Sequence, residues 1–271
     1  MASHTPTFTI LMPVHRAPLF MPLALRCVLN QNRRDFELFI ICDGAPQDTV
    51  DFATAAARSD SRIKVFAFPK GERHGEAHRH VALAQDKGHL CCQIADDDLW
   101  FPHHLDEIER LLSKVEFGNL MHTYAPDETR FSANYHNLAD PAIQRAMHER
   151  AWNFFGPTVV GYRLETYRRL PVGWSPASKD IPTDLVMWRK FLAMPDVVVG
   201  SRHAVTSLHF PASLRRDWPD ERRLAEITRN ANLMASPWYI YRIVWQVRLG
   251  WARETAVRLL RRGWNFAHRW A

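Results

Sequence analysis

Short apolar runs that alternate with helix-like segments constrain the fold of this chain more than any other feature of its sequence. Strands that are apolar along their whole length are covered on both faces, and strands that alternate with helices pair in parallel. We therefore predict an α/β fold with a mostly parallel sheet flanked by helices. The apolar runs are Phe8–Pro13, Phe36–Cys42, Ile63–Phe68 and Leu90–Ala95, and apolar residues at three-to-four spacing mark the intervening segments Pro22–Asn30, Thr49–Arg58 and Glu76–Gln85.

The rest of the chain is less regular, and no periodicity is visible from Asn119 to Gly156. We expect one domain over residues 1–215 and a helical C-terminal segment over residues 216–271. Further predicted elements are a helix from Pro102 to about Lys114, an apolar run at Thr158–Tyr162, a helix at Thr183–Ala193 and a strand within Val197–Leu208.

Composition excludes several classes of protein. The chain has 271 residues, 46% apolar and 24% charged, which is typical of a folded soluble domain and not of a disordered chain. Its N-terminus lacks a signal-peptide pattern, and no run reaches the roughly 18 apolar residues of a membrane-spanning helix. Cys27, Cys42, Cys91 and Cys92 show no CxxC spacing. We expect buried free thiols in a reducing, cytoplasmic compartment.

Carboxylates follow two of the predicted strands. Asp43 ends one strand and the run Asp96–Asp98 follows another, so both lie at the edge where parallel sheets bind ligands. Neighbouring charges in the run repel by roughly 3 kcal/mol at about 5 Å and an effective dielectric near 20. Either a solvated turn or helix cap removes this cost, or Mg²⁺ or Mn²⁺ bridging phosphates offsets it. Asp43 either starts an ordinary turn or accepts hydrogen bonds from a nucleobase or ribose.

The segment PKGERHGEAHRHVALA, residues 69–84, is rich in basic and histidine side chains. Zinc proteases need glutamate directly after the first histidine of their motif, where this chain has Gly75, so the pattern argues against zinc hydrolysis. The segment is either the polar start of a helix or a basic element that faces phosphates, with Arg79 as its leading member.

Taken together, these segments resemble the inverting glycosyltransferases of family two, which have the GT-A fold. The resemblance spans roughly residues 8–215, and it is carried by the order and spacing of several motifs more than by any one of them. These motifs are FTILMPVHRAP, LRCVLNQNRRDFELFIICDGAPQDT, GEAHRHVALA, CCQIADDDLWFPHHL, PTDLVMWRKF and VTSLHFPAS.

The resemblance implies a donor site at this sheet edge. The backbone around Pro13 and His15 would hold the base and ribose of the nucleotide, together with the side chain of Asp43. Arg79 would help to position the nucleotide, and Asp96 would face the ribose.

The resemblance also implies a metal site. Asp97 and Asp98 would bind Mn²⁺ or Mg²⁺ on the diphosphate, and the spacing does not decide which of them is the direct ligand. His209 matches a later family histidine that approaches the metal or phosphate, although a lone histidine after a strand also has a purely structural interpretation.

Asp184 matches the catalytic base of the family. It would take the proton of the acceptor hydroxyl, whereas the alternative interpretation is a helix-capping acid, and Asp180 is the second candidate for the base. The chain departs from the family pattern at Cys42, where an acid is frequent, at His80, which replaces an asparagine, and at Thr183, which replaces a glutamate. These departures leave every group that the mechanism requires in place.

Residues 237–271 carry the net charge of the protein, with seven arginines, one acid and five of the ten tryptophans. Apolar residues recur at three-to-four spacing at 240, 244, 247 and 251, which predicts a helix with one apolar face. Gly250 is expected to interrupt this helix, and a second apolar stripe follows. The segment either packs on the domain with a solvated basic face or lies on an anionic membrane surface, and we favour the membrane. No motif supports nucleic acid as a partner. The second stripe comprises Ala256, Val257, Leu260, Trp264 and Ala267, opposite Arg258, Arg261, Arg262 and Arg269.

The sequence therefore predicts a metal-dependent inverting glycosyltransferase that uses a nucleotide-diphosphate sugar, with a UDP-sugar favoured. The acceptor would be a saccharide or a lipid-linked molecule, in cell-surface glycan assembly. The protein would be cytoplasmic, and peripheral on the inner face of the membrane if the C-terminal segment binds lipid. The alternatives are a nucleotidyltransferase on a similar sheet and an inactive, membrane-associated binding protein.

Overall fold

The computed structural model describes the backbone of residues 5–267 and the side chains up to residue 257. The strands in this part of the chain are β1 (Phe8–Val14), β2 (Phe36–Asp43), β3 (Ile63–Phe68), β4 (Leu90–Gln93), β5 (Leu99–Trp100), β6 (Phe117–Leu120), β7 (Thr123–Tyr124), β8 (Ser132–Ala133), β9 (Val160–Arg163), β10 (Val199–Arg202) and β11 (Ser207–Leu208). The helices are α1 (Met21–Leu29), α2 (Gln47–Ser59), α3 (Glu76–Leu83), α4 (His104–Leu112), α5 (Pro141–Glu149), α6 (Leu164–Arg168), α7 (Thr183–Leu192), α8 (Asp220–Leu233) and α9 (Pro237–Ala267).

The main sheet has seven strands in the order β10-β6-β9-β4-β1-β2-β3. β1 pairs in parallel with β2 and β4, β3 continues the parallel set, and β9 runs antiparallel between β4 and β6. β1 and β2 are buried along almost their whole length, as expected for strands with helices on both faces. The predicted α/β fold with a mostly parallel sheet is confirmed.

The register of the parallel strands brings the predicted acids to one edge. Val14 at the end of β1 pairs with Cys42, directly before Asp43, and Leu11 pairs with Gln93 at the end of β4. The chain leaving β4 turns within three residues into the acid run. Asp43 and the acids that follow β4 therefore emerge on either side of β1, at the same carboxyl edge of the sheet.

The structure differs from the sequence prediction mainly after residue 119. The region expected to be irregular contains α5, which starts where Asp140 accepts a hydrogen bond from the Ala142 amide and Pro141 occupies the first turn. The single strand expected within 197–208 is two strands, because the chain bends after β10 and β11 pairs antiparallel with β5. Gly250 does not interrupt α9.

The C-terminal helices share a hydrophobic cluster with the sheet domain. Ile227 of α8 and Ile243 and Val247 of α9 are buried in one cluster with Phe20 and Phe101. Elsewhere on α8 the buried pair Arg215–Glu226 joins the preceding loop to the helix at 2.6 Å. Packing thus fixes α8 and the first half of α9 against the domain.

Among the described residues, no helix combines the length and the apolar character that crossing a membrane requires.

Candidate active site

A cleft of about 330 Å³ opens at the carboxyl edge of β1, β2 and β4. Residues of the sheet edge form one wall, and residues around α3 and the start of α7 form the other. The cleft thereby joins the segments that the sequence assigned separately to nucleotide and acceptor. Its lining residues are Pro13, Val14, His15, Arg16, Asp43, His74, Arg79, Gln93, Ala95, Asp96, Asp97, Pro157 and Thr183.

Two arginines neutralise the first two acids of the run. Arg16 binds Asp96 through two hydrogen bonds, Nε to Oδ2 at 2.8 Å and Nη2 to Oδ1 at 2.7 Å, and also lies 2.9 Å from Oδ2 of Asp97. Arg223 of α8 reaches the same Asp97 oxygen at 3.1 Å. Both guanidinium groups lie 4.9 Å from the ring centroid of Phe20. The repulsion between these acids is thus offset by cationic side chains of the chain itself.

Asp98 is absent from the cleft lining and is 1% exposed. One carboxylate oxygen accepts a hydrogen bond from the Thr158 hydroxyl, and the other contacts Nδ1 of His209 at 2.7 Å and the Phe210 amide at 3.3 Å. Burial opposes the charged form of His209, but the carboxylate of Asp98 outweighs it and raises the pKa of the imidazole. Asp98 therefore anchors the acid turn to the residues that follow β11.

Asp43 is buried beneath the loop that precedes α3. It accepts hydrogen bonds from Lys70 and, at 2.6 Å, from the Gly71 amide. Burial opposes ionisation, but these hydrogen bonds lower the pKa of Asp43 below its ordinary value. Gly75 has a φ of +64°, and a Cβ there would overlap the Asp43 carboxylate. The glycine that breaks the zinc-protease pattern is thus required by the packing of Asp43.

Asp184 lies in the first turn of α7, directly after Thr183, which lines the cleft. It accepts hydrogen bonds from Asn153 at 3.4 Å and from the Thr183 hydroxyl at 3.3 Å. Burial raises the pKa of the Asp184 carboxyl, while its own backbone amide and the positive charge of Arg79 act in the opposite direction. A carboxyl with a raised pKa is better suited to accept a proton near neutral pH.

Two buried polar groups of the cleft lack a protein partner within the described residues. They are Nε of Arg79, whose guanidinium lies 4.8 Å from the Trp174 ring, and Oε1 of Gln93 at the end of β4. Buried polar atoms are nearly always hydrogen-bonded, so these two groups indicate bonds to a ligand or to water.

The structure brings together most of the predicted site residues. Pro13, His15, Asp43, Arg79, Asp96 and Asp97 line one cleft, and Asp184 adjoins it. Burial lowers the pKa of His15, which favours a neutral imidazole at the cleft wall. Sequence reasoning missed Arg16, Gln93, Asn153 and Arg223. Arg16 and Gln93 lie within quoted motifs at strand ends, where they could have been found, whereas no local pattern marks Asn153 or Arg223.

The predicted metal ligands Asp97, Asp98 and His209 do not converge. Asp98 and His209 bond to each other, and no group of three or more potential metal-binding side chains occurs among the described residues. Asp97 differs, because it lines the cleft and both of its ion pairs use Oδ2. Magnesium sites on nucleotides commonly use one or two carboxylates plus phosphate oxygens, so Asp97 alone fits such an ion. Which of Asp97 and Asp98 would bind the metal directly therefore stays a prediction, and the geometry favours Asp97.

Solved structures with similar folds are glycosyltransferases of the GT-A type. A fragment of S. aureus TarS superimposes with a TM-score of 0.59 at 14% identity, covering 84% of this chain and 72% of that chain. The mannosyltransferase PcManGT from Pyrobaculum calidifontis, in complex with GDP-Man and Mn²⁺, gives a TM-score of 0.53 at 18% identity, covering 90% and 69%. The chain thus shares the GT-A fold of these proteins.

Residues 9–164 match the model of glycosyl transferase family 2, and the chain belongs to this family. An uncharacterized glycosyltransferase of Haemophilus influenzae is 25% identical over 119 residues, covering 44% of this chain and 46% of the relative. One from Nostoc sp. is 24% identical over 181 residues, covering 63% of this chain and 52% of the relative. The matched regions thus span about half the length of these curated relatives.

Proposed function

We propose that the protein transfers a sugar, with inversion, from a nucleotide-diphosphate sugar to a hydroxyl of a saccharide or lipid-linked acceptor in cell-surface glycan assembly. The observation that carries the proposal is that one cleft holds a charged donor side and is adjoined, beside Thr183, by a half-buried carboxyl with a raised pKa. The cytoplasmic side of the membrane is the location we assign to it.

On the donor side, Asp43 and the backbone around Pro13 and His15 would bind the base and ribose. Solved structures of TarS with UDP-GlcNAc and of PcManGT with GDP-Man support a nucleotide sugar as donor, and we favour a UDP-sugar. The unpaired Nε of Arg79 and Oε1 of Gln93 are a donor and an acceptor available to the nucleotide sugar.

The diphosphate would lie beside Asp97 and Arg16. Asp97 would hold Mg²⁺ or Mn²⁺ through Oδ1, the oxygen that its two ion pairs do not use. A bound divalent cation stabilises the charge that builds up on a departing diphosphate. Arg16 supplies a second positive charge at the same place, and bidentate arginine contacts suit phosphate as well as carboxylate.

On the acceptor side, Asp184 would act as the general base. Its carboxylate would take the proton of the acceptor hydroxyl while that oxygen bonds to the anomeric carbon and the bond to the nucleoside diphosphate breaks on the opposite face. Asn153 and Thr183 would hold the carboxylate in place.

A thermal-shift screen of nucleotide sugars with Mn²⁺, followed by product analysis, tests the proposal. We expect stabilisation by one donor class and release of a nucleoside diphosphate on transfer. Release of pyrophosphate would instead identify a nucleotidyltransferase. If no nucleotide sugar stabilises the protein, the result would identify a binding protein without activity.

A further inference from the structure

Helix α9 has two apolar faces, and only one of them packs against the protein. Ile243 and Val247 are fully buried, and Ile240 and Val244 pack beside them in the cluster shared with the domain. Most of the stripe that the sequence predicted for lipid contact is therefore the inner face. Trp251, the last residue of that stripe, stacks on Tyr135, also of the domain.

The outer face of α9 is aromatic and exposed. Trp238, Tyr241, Trp245 and Leu249 are 79%, 58%, 53% and 38% exposed. Their spacings of three, four and four residues place them on one side of the helix, opposite Ile243 and Val247. A surface helix of a soluble protein normally carries polar residues on the side away from its core. This outer face therefore indicates contact with a partner.

Exposed arginines flank the outer face on both sides. At 100° per residue, Arg242 and Arg253 fall on one flank of the aromatic stripe and Arg248 on the other. Glu254, the one acid between residues 237 and 257, interacts electrostatically with Tyr135 of the domain. The outer face thus combines tryptophan and tyrosine with positive charge, and it carries no acid within the described side chains.

From this combination we propose that the outer face of α9 docks the protein on an anionic phospholipid surface. Tryptophan and tyrosine prefer the boundary between headgroups and acyl chains, and arginines beside them attract acidic headgroups. A symmetric contact with a second copy of the chain would place the same arginines against one another. Docking would place the protein at a membrane, and it is independent of the proposed transfer reaction. Leu260, Trp264 and Ala267, with Arg258, Arg261, Arg262 and Arg269 of the second predicted stripe, lie outside the described side chains.

Vesicle sedimentation of the full chain tests the proposal. The probes are vesicles of phosphatidylcholine alone and of phosphatidylcholine mixed with phosphatidylglycerol. We expect the unaltered protein to bind the mixed vesicles. Trp238→Gln and Trp245→Gln should each reduce partitioning by about tenfold, because each replaces a large apolar side chain that would be buried in the lipid. Arg248→Gln with Arg253→Gln should weaken binding to the mixed vesicles by roughly 25-fold, and scarcely affect phosphatidylcholine alone.

Val198→Gln is the matched control, because Val198 is 55% exposed but lies directly before β10 and is not part of α9. It should bind vesicles like the unaltered protein. An unchanged unfolding midpoint in each variant shows that the fold is intact. Equal binding by the tryptophan variants and the control would overturn the proposal. So would a dimer of the unaltered protein that dissociates in the tryptophan variants, because the outer face would then be occupied by a second copy.

Discussion

The carboxylates on the donor side of the cleft and the carboxylate on its acceptor side have opposite surroundings. Asp43 contacts Lys70, and the first two acids of the run contact Arg16 and Arg223. Asp184 instead receives hydrogen bonds from two neutral groups. The pKa of Asp43 is lowered by its partners, whereas burial raises the pKa of Asp184.

This difference separates two chemical tasks within one cleft. A donor-side carboxylate such as Asp43 stays ionised throughout the neutral range and can serve as a fixed hydrogen-bond acceptor. The raised pKa of the Asp184 carboxyl makes its carboxylate a better proton acceptor, as a general base requires. Under the proposed function, the donor side is therefore suited to binding and the acceptor side to proton transfer.

The largest expected effect is the loss of the base. In Asp184→Asn we expect kcat to fall by about 10²–10⁴, because the amide cannot take the acceptor proton, while the Kd of the donor stays unchanged. Transfer assays and calorimetry measure the two quantities. Asp180→Asn is the matched control and should retain activity. Near-normal turnover in Asp184→Asn would refute the assignment.

Next in size is the removal of a donor-side cation. Arg16→Gln should weaken donor binding by about tenfold, a modest value because the Arg16 side chain is 29% exposed. Arg223→Gln should have a smaller effect, since Arg223 contacts Asp97 alone of the acid run. Calorimetric titration with the donor and Mn²⁺ provides the measurement. Tighter donor binding in Arg16→Gln would mean that this arginine blocks the acids and does not assist the diphosphate.

Neighbouring acids of the run should respond differently to the same change. Asp98→Asn should lower the free energy of unfolding by about 1–3 kcal/mol, because a buried hydrogen-bond network around His209 loses its charged acceptor. Asp97→Asn should leave stability nearly unchanged but abolish the Mn²⁺ dependence of donor affinity. Chemical denaturation and metal titration check the pair. The reverse pattern would make Asp98 the metal ligand.

A smaller effect concerns pH. Because Asp184 must be ionised to act and its pKa is raised, activity should fall as the pH decreases through that pKa. Asn153→Ala removes a weak hydrogen bond to the ionised form, so the acidic limb of the rate profile should move upward by about 0.4 units for a bond of about 0.5 kcal/mol. A downward shift, or none, would show that Asn153 does not stabilise the carboxylate.

The fold and the edge of the cleft could be predicted because their signals are local. Apolar strands alternate with helices, and in a parallel sheet the residues after each strand must meet at one edge. The positions of Asp43 and Asp96 followed from this rule alone. The orientation of each acidic side chain could not be predicted in this way. Asp97 and Asp98 differ only through partners such as Thr158 and Arg223, which are distant in the sequence.

The C-terminal segment shows a second limit of sequence reasoning. Periodicity identified an apolar stripe on α9, but the helix has apolar residues on two sides, and the pattern does not say which side meets the domain. Gly250 was expected to interrupt the helix. Its backbone instead approaches the Tyr135 hydroxyl so closely that a Cβ would lie 2.6 Å from it, which explains a small residue there.

The contact of Arg223 with Asp97 joins the first turns of α8 to the proposed donor site. The Phe20 ring lies beneath the guanidinium groups of both Arg16 and Arg223. Events at the nucleotide should therefore be visible as changes in amide hydrogen exchange. Exchange in the first two turns of α8 should slow when a donor occupies the cleft, and this protection should vanish in Arg223→Gln. A helix outside the matched family region would then act as a reporter of occupancy.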